Sequence, residues 1–85
     1  MLNVQVYIKA LENTAANLPG LLKDWATIDP ELREHYTEAL IELLCRRDID
    51  DQRFKDAWAM FSAVIRVYAT DVQAKLHIDV ESFLR

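Results

Sequence analysis

Apolar residues recur at steps of three and four along most of this chain, which is the spacing of one face of an α-helix. The longest series consists of Phe54, Trp58, Phe61, Ile65, Tyr68, Val72 and Leu76. One glycine and two prolines in 85 residues leave few positions at which helices would be interrupted. The sequence therefore predicts an all-α fold: a single domain, residues 1–85, built as a small antiparallel bundle of three to four helices with the last long helix at its centre.

The first segment of the chain permits two interpretations. Six residues share one helical face: Val4, Ile8, Leu11, Ala15, Leu18 and Leu22. Four residues near the amino terminus alternate instead, as in a half-buried strand: Leu2, Val4, Val6 and Ile8. Because the helical spacing continues for longer, we predict a helix. A second alternating run, from Val72 to Val80, keeps open a short β-pairing of the two termini.

Prolines and capping residues indicate where the first helices begin and end. Leu-Pro-Gly at 18–20 predicts a break in the first helix and a short second helix to about Trp25, with a continuous kinked helix as the alternative. Asp29 can accept hydrogen bonds from the free amides of a helix start, and Pro30 is tolerated in the first helical position. We therefore expect a helix from Pro30 to about Arg47.

The last long helix follows the turn Asp-Ile-Asp-Asp at 48–51, and one of these aspartates is expected to cap it. Thr70 and Asp71 allow a bend within this helix. Asp79 is expected to cap a final helical turn over residues 80–84.

Size and charge restrict how the chain is stabilised and what it binds. Cys45 is the single cysteine, so an intramolecular disulfide is excluded, and packing and oligomerisation remain as sources of stability. The formal net charge of −4 disfavours a nucleic-acid partner. The amino terminus lacks a basic region, and no run approaches the roughly 20 apolar residues of a membrane span. We expect a cytoplasmic protein with no membrane partner.

The last long helix carries more apolar residues than one face requires. Its second apolar face comprises Met60, Ala63, Val64, Val67, Ala74 and Ile78. Its polar arc is narrow: Lys55, Ser62, Arg66 and Gln73. A helix that is apolar nearly all round is covered on several sides. Either it is the centre of a monomeric bundle, or its second face contacts another chain.

The helix predicted from Pro30 shows a weaker form of the same excess. Its expected core stripe is Leu32, Tyr36, Ala39, Leu40, Leu43 and Leu44. Ile41 and Cys45 lie on the opposite side, beside an acidic ridge formed by Glu34, Glu38 and Glu42. Ile41 and Cys45 are either ordinary surface residues or part of a partner site. The aromatic residues Trp25, Phe54, Trp58, Phe61 and Tyr68 are expected in the core.

Three features of the sequence resemble metal-binding or catalytic sites, and each has a simpler explanation. The order His35-x-x-Glu38 occurs once and lies off the apolar face, so a solvated charged face is preferred to a metal site. The aspartates at 48–51 lack the glycine of a calcium loop and are explained by capping. Cys45 has no obvious general base, so a small buried cysteine is preferred to a nucleophile. No catalytic residue, cofactor or metal is predicted.

The composition and the second apolar face together predict a non-enzymatic protein–protein interaction module. An adaptor, an inhibitor, an immunity-type protein or an accessory subunit fits this class, and self-association through the second apolar face is expected. The predicted partner-binding residues are Met60, Val64, Val67, Ile41, Glu34, Glu38 and Glu42. One alternative is a small DNA-binding regulator of the helix-turn-helix type over residues 31–68, although two aspartates at the start of its second helix would repel phosphates. A second alternative is a small helical metal-binding protein or enzyme.

Overall fold

The computed structural model describes residues 3–46 and 48–84, and within these ranges the chain forms helices and no strand. The elements are α1 (Val4–Lys23), a 3₁₀ turn (Trp25–Thr27), α2 (Pro30–Leu44), α3 (Gln52–Val67), α4 (Ala69–Leu76) and α5 (Val80–Leu84). The all-α class is therefore confirmed, and the described parts of the two termini are helical or irregular rather than paired as strands. Two positions used in the predictions, Leu2 and Arg47, lie outside the described residues.

α1 is one continuous helix, so the predicted break at residues 18–20 is wrong and the continuous alternative is correct. Pro19 removes one backbone donor, but its ring and Gly20 both lie on the exposed side of the helix. Leu18 and Leu22, on either side of Pro19, are almost completely buried. Burial of these two leucines holds the helix together across a residue that would otherwise end it.

The predicted helix starts are confirmed and two of the ends are corrected. The Asp29 carboxylate accepts a hydrogen bond of 2.9 Å from the Glu31 amide, which fixes the start of α2. α2 ends at Leu44, earlier than predicted. The long helix predicted to continue to Leu76 is divided at Tyr68, whose backbone leaves the helical conformation. The bend thus occurs two residues before the predicted position at Thr70.

α1 packs along α3, and the core forms mainly between these two helices and the elements that follow. The largest fully buried side chains are Phe54, Phe61, Leu11, Leu18, Leu44, Ile65, Val72 and Val80. Phe54 and Phe61 are fully buried, as predicted, whereas Trp25, Trp58 and Tyr68 are only half-buried against this core. Residues near the start of α1 lie beside the start of α3, and Ala15 lies beside Val64, so the two helices run in the same direction.

Two long-range hydrogen bonds join the carboxyl-terminal elements to the rest. Lys75 Nζ donates to the Leu22 carbonyl at 2.7 Å, linking α4 to the end of α1. Arg66 Nη2 donates to the Leu84 carbonyl at 3.1 Å, linking α3 to α5. The second bond, together with the burial of Val80 and Leu84, holds the short helix α5 against the rest of the molecule.

The core stripe predicted for α2 is only partly correct. Leu40, Leu43 and Leu44 are buried, whereas Leu32 is 47% exposed and Tyr36 is 42% exposed. Ala39 is exposed as well, and Cys45 is exposed rather than buried as expected. The reason is that α2 is fully buried only in its second half, so the apolar side chains of its first half are covered only in part.

Among the described residues, no helix combines the length and the apolar character needed to cross a membrane.

Candidate functional site

The second apolar face of the last long helix is uncovered over α3. Met60 is 71% exposed and Val67 is 76% exposed, Ala63 is also exposed, and Val64 is half-buried. These four residues form what we term the α3 flank. The predicted face does not continue beyond α3, because α4 is a separate helix and Ile78 is buried in the core.

The α3 flank borders an apolar groove between α1 and α3. This α1–α3 groove has a volume of about 280 Å³ and is lined by Leu11, Glu12, Ala15, Ala16, Ala57, Met60, Phe61 and Val64. Three alanines leave the space between the helices open, because they have no side chain beyond Cβ. The groove continues towards the start of both helices, where Gln5, Ile8, Arg53 and Asp56 line a further 400 Å³.

The rim of the α1–α3 groove carries charges of both signs. Glu12 and Asp56 are negative and Arg53 is positive. Arg53 is also held by the Asp51 carboxylate, with Nε at 3.6 Å from Oδ1. Exposed charges of both signs at such a rim orient a partner more than they strengthen its binding.

The acidic ridge lies elsewhere, on α2. Glu34 and Glu38 are exposed, and the Glu42 side chain is 60% exposed with Arg46 Nη2 at 4.0 Å. Ile41 is 37% exposed on the same helix. α2 packs on a different side of α1 from α3, so the structure does not bring the ridge and the α3 flank onto one surface.

A second apolar groove, between α1 and α2, was not predicted from the sequence. This α1–α2 groove has a volume of about 460 Å³ and is lined by Asn3, Val6, Tyr7, Ala10, Thr14, Ala39, Glu42 and Leu43. Val6 is 58% exposed at its edge. The Arg46 guanidinium carbon lies 5.4 Å from the centre of the Tyr7 ring, a cation–π contact that closes one end.

One signal in the sequence indicated the α1–α2 groove. Val6 and Ala10 lie one turn apart, off the core face that contains Ile8 and Leu11. Val6 also belongs to the alternating run that is typical of a strand. Its position on the wheel of α1 shows that it belongs to a second apolar side of that helix.

Neither groove is lined by a residue from the three features that resemble metal-binding or catalytic sites, namely His35 with Glu38, the aspartates at 48–51, and Cys45. Within residues 3–46 and 48–84, no group of three or more His, Cys, Asp and Glu side chains is arranged to hold a metal ion. The hydrogen bond from the Phe54 amide holds the pKa of the Asp51 carboxyl below its ordinary range, assisted by the Arg53 amide and guanidinium. Asp51 therefore caps α3 as a carboxylate, which is a structural role.

Comparison with family models, with curated proteins and with solved structures finds no match to this chain.

Proposed function

We propose that this chain is a non-enzymatic protein–protein interaction module that self-associates through the α3 flank and the adjoining α1–α3 groove. The supporting observation is the exposure of Met60 and Val67 on a helix whose opposite face, with Phe54, Phe61 and Ile65, is fully buried. If α3 were apolar all round because it is enclosed by its own chain, these two side chains would be covered. Both are exposed, and a contiguous exposed apolar surface of this kind is characteristic of a partner-binding site, which supports the proposal.

The charges favour a second copy of the chain as the occupant of this surface. Two copies, each with a formal charge of −4, repel one another over most of their surfaces, so an attractive contact requires a patch that carries both signs of charge. Asp51 holds Arg53 of its own copy through Nε. In a twofold contact the same patch lies on both sides, so the Nη groups of Arg53 of one copy are available to Glu12 or Asp56 of the other. A rim of mixed sign is self-complementary in this sense, whereas a rim of one sign is not.

The size of a stable interface requires that α1 takes part. A standard interface buries about 800 Å² on each partner, which is about one seventh of the accessible surface of 5657 Å². Met60, Val64 and Val67 alone are too few for this area. The α1 wall of the groove, including Ala15 and Ala16, supplies the adjoining apolar surface.

The proposal also covers the arrangement of the helices and the cellular location of the protein. We infer a bundle in which α3, which contacts α1, α4 and α5, is central. Its consecutive long helices are antiparallel, so that α1 and α3 run in the same direction. A cytoplasmic location is consistent with the exposed free thiol of Cys45, because a reducing compartment preserves such thiols.

Neither alternative class gains support from a specific contact. For DNA binding, the two basic residues at the start of α3 are engaged by aspartates: Arg53 with Asp51 at 3.6 Å, and Lys55 with Asp50 at 2.9 Å. For a metal site or an enzyme, His35 and its neighbouring carboxylates lie on the exposed face of α2. Both remain alternatives to the proposal.

The proposal is tested by measuring the molar mass of the purified chain by sedimentation over a range of concentrations. The wild type is expected to self-associate, and Val67→Glu is expected to raise the dissociation constant at least about tenfold, since it places a charge in a desolvated contact. The Val67→Glu chain is expected to remain helical, because Val67 contributes little to its own core. Val6→Glu is the matched control: the same substitution at an exposed valine outside the α1–α3 groove should leave self-association unchanged.

Two results would contradict the proposal. One is a wild type that stays monomeric at every concentration. The other is global unfolding of Val67→Glu, which would show that the side chain is needed within the monomer rather than between chains.

A further inference from the structure

We propose that the α1–α2 groove binds an amphipathic helix of a different protein, one that carries a row of lysine or arginine beside its apolar stripe. This inference is independent of the proposed self-association, because the two grooves share no lining residue. It assigns a role to the acidic ridge, which lies away from the α3 flank.

The apolar floor of the groove is built by both helices. α1 contributes Val6, Tyr7 and Ala10, and α2 contributes Ala39 and Leu43. Val6 and Tyr7 each lie about one turn from Ala10, and Ala39 lies one turn from Leu43, so the two helices present two apolar rows with a groove between them. An amphipathic helix bound in such a groove contacts it through its residues at i, i+3, i+4 and i+7.

The exposed half of α2 extends this floor beyond the groove itself. Leu32 and Tyr36 lie on the same face of α2 as Ala39 and Leu43, at successive steps of three and four. From Leu32 to Leu43 the axis of α2 rises about 16 Å at 1.5 Å per residue. The apolar row therefore spans about three turns, which is the length that a docked amphipathic helix needs for three or four anchors.

The rim on the α2 side selects the charge of the occupant. Glu31, Glu38 and Glu42 follow the apolar row along α2, with Glu31 two turns and Glu42 one turn from Glu38, and Glu34 lies slightly further round. The α1 side of the groove offers the neutral residues Asn3 and Thr14. A partner helix is therefore attracted when its basic residues lie on the side of its apolar stripe that faces α2.

One cation of the chain itself lies at this rim. Arg46 places its guanidinium on the Tyr7 ring at 5.4 Å and lies 4.0 Å from the Glu42 carboxylate. The exposed carboxylates of Glu31 and Glu38 are therefore the main groups that attract the basic residues of a partner. A second copy of this chain is a poor occupant, because it would bring its own carboxylates and its charge of −4 against this rim.

The probe is a synthetic amphipathic peptide of about 18 residues, long enough for about five helical turns. Its apolar stripe has leucine at i, i+3, i+4 and i+7, and lysine flanks one side of the stripe. A matched peptide replaces each lysine by glutamate and keeps the leucines. Fluorescence anisotropy with the full chain is expected to show saturable binding of the lysine peptide and a dissociation constant at least about tenfold larger for the glutamate peptide.

Variants of the full chain locate the binding. Val6→Glu and Ala39→Glu are expected to weaken binding of the lysine peptide at least about tenfold, and both positions are exposed, so folding should be preserved. Glu38→Lys is expected to weaken binding less and to reduce its dependence on salt. Val67→Glu, at the α3 flank, is the matched control and should leave peptide binding unchanged.

Three outcomes would overturn the inference. The first is no saturable binding of the lysine peptide up to about 1 mM, where the free energy of binding would be about 4 kcal/mol or less. The second is equal binding of the lysine and glutamate peptides. The third is a loss of self-association in Val6→Glu, which would show that a second copy covers this groove and would also contradict the proposed function at the α1–α3 groove.

Discussion

α2 and α3 both carry apolar side chains that the core does not use, but the two helices are held in different ways. α3 is buried along its length through Phe54, Phe61 and Ile65, and its uncovered residues lie to one side of this face. α2 is buried only through its second half, and the uncovered residues Leu32 and Tyr36 belong to the core stripe itself. An excess of apolar residues in a helix can therefore arise from a second face or from a first face that lacks cover.

The difference underlies the two proposed partners. The α3 flank lies on a helix whose opposite face is fully buried, and it borders a groove with a rim of mixed charge, which is the basis of the proposed self-association. The exposed half of α2 borders a groove beside exposed glutamates, which is the basis of the proposed binding of a cationic helix. The following variants compare the buried face of each helix with its uncovered residues.

The largest expected effect comes from neighbouring residues of α3. Phe61→Ala removes a fully buried ring and should reduce the free energy of unfolding by about 3 to 5 kcal/mol, because it leaves a cavity in the core. Met60→Ala, one residue earlier and 71% exposed, should change it by less than about 0.5 kcal/mol in the monomer. Urea denaturation at a concentration where the chain is monomeric gives both values. Similar losses for the two variants would show that the α3 flank is covered within the chain.

A second pair makes the same test on α2. Leu44→Ala should cost about 3 kcal/mol, since Leu44 is almost completely buried. Tyr36→Ala should cost less than about 0.5 kcal/mol despite the larger side chain that is lost. The measurement is again the midpoint of urea unfolding. A large loss for Tyr36→Ala would mean that the first half of α2 packs on the body of the molecule, and the apolar row proposed for the α1–α2 groove would then be unavailable to a partner helix.

Much of the fold follows from local chemistry that the sequence displays. The helical starts at Asp29 and Asp51 are fixed by side chains that accept hydrogen bonds from amides two or three residues later, and such caps depend on neighbours in sequence. The continuity of α1 through Pro19 could not be predicted in the same way. It depends on burial of Leu18 and Leu22 against residues far along the chain, and this tertiary packing outweighs the local preference of proline.

The candidate site was predictable only in part, for a related reason. Periodicity identified Met60, Val64 and Val67 as a second face, because a helical wheel needs no tertiary information. It could not show that the first half of α2 would be uncovered, since that depends on how α2 meets α1. It also could not show that Val6 and Ala39 line one groove, because they are 33 residues apart in sequence.

A smaller effect is expected from the cap of α2. Asp29→Ala removes the acceptor for the Glu31 amide and should cost about 1 kcal/mol. Because the first half of α2 has little tertiary support, we expect the loss to appear there as local opening. Amide hydrogen exchange should accelerate in residues 31–37 and change little in α3. Uniform acceleration over both helices would show that α2 opens only with the whole molecule.

The smallest expected effect concerns the cap of α3, where packing already fixes the first turn through the buried Phe54. The amide of Phe54 donates to the Asp51 carboxylate at 3.3 Å and lowers its pKa, with further contributions from Arg53. A carboxyl group whose pKa is lower in the folded chain stabilises the fold above its unfolded pKa, and this contribution is lost as the pH falls from about 4 through the lowered value. Asp51→Asn keeps a capping oxygen but cannot titrate. The wild type should therefore be slightly more stable than Asp51→Asn at pH 7, and thermal melts should converge as the solution is acidified; a gap that stays constant or widens in acid would mean that the charge of Asp51 does not stabilise α3.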